Sequence, residues 1–169
     1  MQTIRIISRV AFYCSLLLAV GYLAISLYSI IAYLFPETFM TVTGDRFVVN
    51  YPFSKKAFLL GDNHIGYKFN MTFIIFLYGL FFLLLSNIFR VFKKKTLFTK
   101  EGVKVLGVFA ICNLTLPIIA FTLYSVILGD VDSEFVLVIL HAILAIFALF
   151  LRAIFKEGLK LQTAQDLTI

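Results

Sequence analysis

Charge is what this chain has least of. Of its 169 residues only 14% are Asp, Glu, Lys or Arg, while 62% are apolar. A soluble domain carries about 25% charged and 45–50% apolar residues, so too little polar surface exists here to coat a globule in water. Tryptophan is absent, and the 20 phenylalanines supply lipid-compatible bulk. Cysteine occurs twice, as Cys14 and Cys112, each within an apolar run. A structural disulfide is therefore not expected, and both read as small buried hydrophobes. Tyr13 directly before Cys14 is too bulky for a lipoprotein attachment signal. The two histidines, His64 and His141, form no cluster with Cys or carboxylates at metal-ligand spacing. The glycines make no phosphate-binding loop, and no nucleophile–base pair is evident. No enzymatic activity, metal or other cofactor is expected. No acidic residue interrupts an apolar run, which speaks against an ion-driven pump built on an intramembrane carboxylate.

What the chain does have is four long apolar runs, at about 10–35, 71–89, 105–128 and 135–155. A helix crossing the roughly 30 Å hydrocarbon core needs about 20 such residues. Arg152, near the end of the fourth run, can snorkel to the interface. The first run is about 26 residues long, beyond the 7–15 of a signal-peptide core. The expected fold is an all-α integral membrane protein: one membrane domain over 1–169, a four-transmembrane-helix bundle with a small outer loop at 36–70 and a tail at 156–169. The lipid bilayer is its first partner.

The basic residues set the expected orientation, because Lys and Arg accumulate on the cytosolic side. With the N-terminus in the cytosol, only Arg46, Lys55, Lys56 and Lys68 of the 15 basic residues fall outside. The short outer turn holds Asp130, Asp132 and Glu134 and no base. Four spans then return the C-terminus to the cytosol. The formal net charge of +6 flanks apolar runs, where it meets lipid headgroups, so direct nucleic-acid binding is not expected. Lys93-Lys94-Lys95 reads as a topology anchor, and Thr99 as an N-cap with Glu101 in the first helical turn.

In the outer loop, residues 39–43 and 46–51 are β-like runs separated by Gly44-Asp45, a hairpin signal; Gly61-Asp62-Asn63 marks a further turn. A loop of this size is too small to bury a core of its own and is expected to sit on the end of the bundle.

Helices in lipid associate through small and polar residues rather than through the hydrophobic effect. Each run carries such a stripe: Ser15, Ala19, Tyr22, Ser26, Ser29 and Tyr33; Thr72, Gly79 and Ser86; Gly107, Ala110, Asn113, Pro117, Ala120 and Tyr124; His141, Ala145, Ala148 and Arg152. His141, Tyr22, Ser26 and Pro117 lie at similar depth, roughly 10 Å from the outer end at 1.5 Å per residue. An ionisable residue within a span is a functional candidate. His141, Tyr22, Ser26 and Asn113 are thus the expected members of a polar pocket for a proton or small ligand, while a structural tether through His141 needs only one hydroxyl partner.

The C-terminal residues Ile154-Phe155-Lys156-Glu157-Gly158-Leu159-Lys160-Leu161-Gln162, followed by Asp166-Leu167-Thr168-Ile169, resemble the ending of a bacterial family known as domain of unknown function 2975. Leu97-Phe98-Thr99-Lys100-Glu101-Gly102 is similar to that family's Phe-Thr-x-Glu segment, and the four-span layout matches over nearly the whole chain. The resemblance implies a small bacterial inner-membrane protein without known enzymatic activity. By association it implies a cytosolic helix-turn-helix transcription regulator as partner. Gly158 reads as a helix stop, leaving a tail in which Leu161, Gln162, Asp166, Leu167, Thr168 and Ile169 are candidates for partner docking. Two functions remain in view: a regulatory or sensing membrane protein, and a subunit of a transporter or channel. The second requires a homo-oligomer, since four helices leave little room for a pore.

Overall fold

An unbroken run without proline makes the first element, α1 (Gln2–Leu34), in a computed structural model that describes residues 2–94, 96–128 and 134–166. Pro36 ends it. The ring disfavours helical backbone at the preceding residue, and Phe35 sits at φ −124°, ψ 64°. Pro36 then opens a single turn, α2 (Pro36–Phe39).

Three strands follow, β1 (Met40–Thr43), β2 (Arg46–Asn50) and β3 (Ala57–Asp62), all antiparallel in the order β1-β2-β3. The expected hairpin is present: Thr43 pairs with Arg46 across Gly44-Asp45. Gly44 takes φ +59°, the positive φ that two-residue hairpin turns require at the first loop position. The third strand is new, and it takes in Gly61 and Asp62 of the turn expected at Gly61-Asp62-Asn63, so that the chain turns only at Asn63, where the His64 N–H donates to the Asp62 carbonyl at 2.8 Å. Gly61 and Asp62 pair with β2, Phe47 opposite Gly61 and Arg46 opposite Asp62.

The sheet rests on the helices, as its size demands. Phe47 and Val49 on one face of β2 are wholly buried against Ala32, with Tyr28, Tyr33, Tyr67 and Met71 around them. The Tyr28 hydroxyl donates to the Asn50 carbonyl at 2.6 Å, tying α1 to β2.

α3 (Ile65–Phe92) begins at His64, whose Nδ1 accepts the Gly66 N–H at 3.2 Å. One of the two histidines is therefore a helix cap. α4 (Lys100–Leu128) begins as expected: the Thr99 hydroxyl accepts the Gly102 N–H at 3.0 Å, and Glu101 sits in the first turn. It stays helical across Pro117. α5 spans Glu134–Asp166. All four long helices are long and apolar enough to cross a membrane. Large apolar side chains such as Leu17, Leu27, Ile143, Phe147 and Phe150 point outward, as lipid-facing residues do. Cys14 is among the exposed positions. It is therefore not the buried hydrophobe expected, because it falls off the Ser15–Ala19 stripe.

α1 packs on α3, α3 on α4 and α4 on α5. Away from the sheet, α3, α4 and α5 share a core of Ile88, Val91, Leu106, Phe109, Ala148 and Phe155. Arg90 of α3 (3.7 Å) and Lys94, two residues past its end, both engage Glu101 of α4 there. The helix stop expected at Gly158 does not occur. α5 continues to Asp166 because Gly158 is a packing position: the Phe98 ring lies so close that a Cβ would stand 2.6 Å from its Cδ1. The expected tail is thus helical up to Asp166. Leu167, Thr168 and Ile169 lie outside the described residues, as do Lys95, Asp130 and Asp132.

Candidate functional site

Four residues apart on one face of α4, Asn113 and Pro117 look toward α3 and α5. Asn113 is buried. Its amide NH2 donates to the Phe109 carbonyl one turn back, at 2.8 Å. That bond turns Oδ1 toward α5, where it lies 2.8 Å from His141 Nδ1. An amide oxygen only accepts, so Nδ1 carries the proton. A neutral imidazole then keeps its lone pair on Nε2, and no hydrogen bond engages that atom among the described residues. The Phe81 ring of α3 meets His141 edge to face, centroids 5.4 Å apart at 88°, and holds the ring's plane.

A cavity of about 70 Å³ opens beside this pair, with Tyr78 and Phe81 of α3, Pro117 and Tyr124 of α4, and Leu137 of α5 in its walls. A water claims about 30 Å³ in the liquid, so the space suits a pair of waters or the polar head of a small molecule. Its chemistry is an apolar, aromatic box with one amide–imidazole pair, the usual make-up of a small-molecule site. Among the described residues no group of His, Cys, Asp and Glu could hold a metal ion.

Two of the four expected pocket residues are therefore together, and two are elsewhere. Tyr22 stacks on Phe82 (5.6 Å) and touches Tyr78 (5.8 Å), at the interface of α1 and α3. The Ser26 hydroxyl lies 3.4 Å from the Thr72 carbonyl, in the same interface. Neither lines the cavity. α3 stands between α1 and the α4–α5 pair, and Tyr78 touches both sides. Tyr78 and Phe81 lie off the small-residue stripe of α3, and no polarity signal marked them. Tyr124, by contrast, is on the α4 stripe with Asn113.

Of the candidate docking residues, Leu161 is exposed and Gln162 half-buried on the last turns of α5, which closes at Asp166. The remaining three lie beyond the described residues.

These features define a multi-pass membrane protein with a small polar pair enclosed among three of its helices. The family model described as "Protein of unknown function (DUF2975)" matches residues 65–169, and the chain belongs to that family. The match takes in α3, α4 and α5, hence both Asn113 and His141. α1 and the sheet lie outside it, whereas the resemblance read from the sequence extended over nearly the whole chain. No curated protein matches the chain, and no solved structure does.

Proposed function

We propose that this protein is a sensing component of a bacterial inner membrane, with both termini in the cytosol, in which the Asn113–His141 cavity binds a small apolar molecule through its hydroxyl or N–H group. The observation that carries this reading is the hydrogen-bond order of the pair. Asn113 fixes Nδ1–H, and the unengaged Nε2 is left as an acceptor beside an aromatic box. Polar groups inside a span carry a cost, and they are retained where they do something. The orientation rests on the basic residues, which concentrate at the end away from the sheet.

The output in this proposal is the far end of α5. Its helix runs about 50 Å at 1.5 Å per residue, well beyond a 30 Å core, and presents Leu161 to a cytosolic transcription regulator. Binding at His141 shifts the packing of α5 on α4, and the same rigid helix carries that shift outward.

Two measurements test it. Thermal unfolding of the purified chain is followed with phenol, octanol and the matched hydrocarbons toluene and octane. The hydroxylated molecules are expected to raise the midpoint in the wild type and to lose that effect in His141→Leu. Equal shifts from the hydrocarbons, or in the variant, would remove the site. Co-purification from native membranes then compares the full chain with one ending at Lys160. Recovery of a DNA-binding protein with the full chain alone supports the tether. Solute flux from liposomes with no soluble partner would move the reading to a transporter subunit.

A further inference from the structure

The end of the molecule away from the sheet holds a second concavity, about 380 Å³ between α4 and α5. Its lining brings together Lys100 of α4 with Arg152 and Lys156 of α5, over walls that include Val103, Leu149 and Leu159. Arg152 and Lys156 are four residues apart and so share a helix face. Lys100 stands in the first turn of α4, whose N-terminus adds its own positive potential. The Arg152 guanidinium lies back along α4 against Gly107, where a Cβ would stand 3.1 Å from Nε. A larger residue there would make the arginine side chain shift by a few tenths of an ångström.

The nearby carboxylates make their ion pairs with other cations, although Glu157 also feels the charge of Lys156. Glu101 is held by Arg90 and Lys94, and Glu157 by Lys160 at 2.8 Å. Among the described residues no ion pair engages Lys100, Arg152 or Lys156. Three like charges gathered on an apolar-walled groove fit an anion that has an apolar body. Basic pockets between membrane helices take anionic lipid headgroups for this reason. We propose that the α4–α5 groove is a binding site for an anionic phospholipid. Its phosphate lies among Lys100, Arg152 and Lys156, and an acyl chain runs along Val103 and Leu149.

The test uses the full chain in a zwitterionic detergent with fluorescent phosphatidylglycerol as probe. Unlabelled phosphatidylglycerol, phosphatidylcholine and inorganic phosphate are the competitors. Only phosphatidylglycerol is expected to compete at micromolar levels. Each of Arg152→Gln, Lys156→Gln and Lys100→Gln is expected to weaken binding about fivefold, the factor for one cation near a lipid surface, and Arg152→Lys to restore most of it. Lys55→Gln with Lys56→Gln, on the sheet side, is the control and leaves binding unchanged. Competition by phosphatidylcholine, or an equal loss in the control, overturns the site. Competition by inorganic phosphate overturns the lipid as its ligand. Should Arg152→Gln fail to fold, the exposed Lys100→Gln decides.

Discussion

Phe53 holds a backbone conformation that its side chain does nothing to repay. The Ser54 N–H donates to the Tyr51 carbonyl at 3.0 Å, closing a turn with Pro52 second and Phe53 third. Phe53 has φ +59°, and a type II turn gives that position to Gly or Asn. Left-handed backbone costs an L-residue about 1–2 kcal/mol, and the Phe53 ring is fully exposed. Phe53→Gly is therefore expected to stabilise the sheet by about 1 kcal/mol, read as slower proteolysis between β2 and β3. An unchanged rate would show the turn relaxed. This turn also hid β3 from sequence reading: a glycine after Pro52 would have announced it, and phenylalanine does not. At His141 the expected stability effect is small. An interhelical hydrogen bond in a membrane contributes about 0.6 kcal/mol, so His141→Leu should lower the unfolding midpoint only slightly while abolishing any ligand response. A large fall in the midpoint would make the pair a structural tether instead.

Among the elements, α1 and α3 touch most closely where a side chain is missing. A Cβ on Gly79 would lie 2.8 Å from the Leu23 side chain and 3.1 Å from its backbone N. Gly79→Leu is expected to push the two helices apart and cost 1–3 kcal/mol, the usual range for overpacking. Gly21, with nothing within 4 Å of its Cβ position, takes the same substitution without a fall in the midpoint. The small residues of the stripes marked the helix interfaces well, although the stripe residue Arg152 is exposed. Ser15, Ala19, Ser26, Thr72, Gly79, Ser86, Ala110, Asn113, Ala145 and Ala148 were all read as stripes, and all are buried, because small residues inside lipid have few other uses. Helix ends were less legible. Gly158 has the look of a C-cap, and only the position of Phe98 reveals it as a packing site.

For the whole molecule, periodicity told which face of each helix is buried but not which helix it meets. That is why Tyr22 and Ser26 were grouped with His141 across an intervening α3. Adjacency depends on crossing angles and loop paths that residue types do not encode. Orientation is a property of the same scale. In a background lacking Cys14 and Cys112, a membrane-impermeant thiol reagent added to intact cells is expected to label Ser54→Cys on the sheet side. It should reach Lys160→Cys only after permeabilisation. Labelling of both without permeabilisation would break the three crossings that separate the two positions.

Between Lys68 and Arg90, α3 offers 21 uncharged residues, about 32 Å of helix, close to the thickness of a hydrocarbon core. α1 runs uncharged from Val10 to its end at Leu34, about 37 Å, beside a neighbour that needs less. The surplus is the stretch whose Tyr28, Ala32 and Tyr33 lie beneath Phe47 and Val49. The sheet thus covers length that would otherwise be absorbed by tilting or by local thickening of the lipid. A thickening bilayer and the sheet compete for the same last turns of α1.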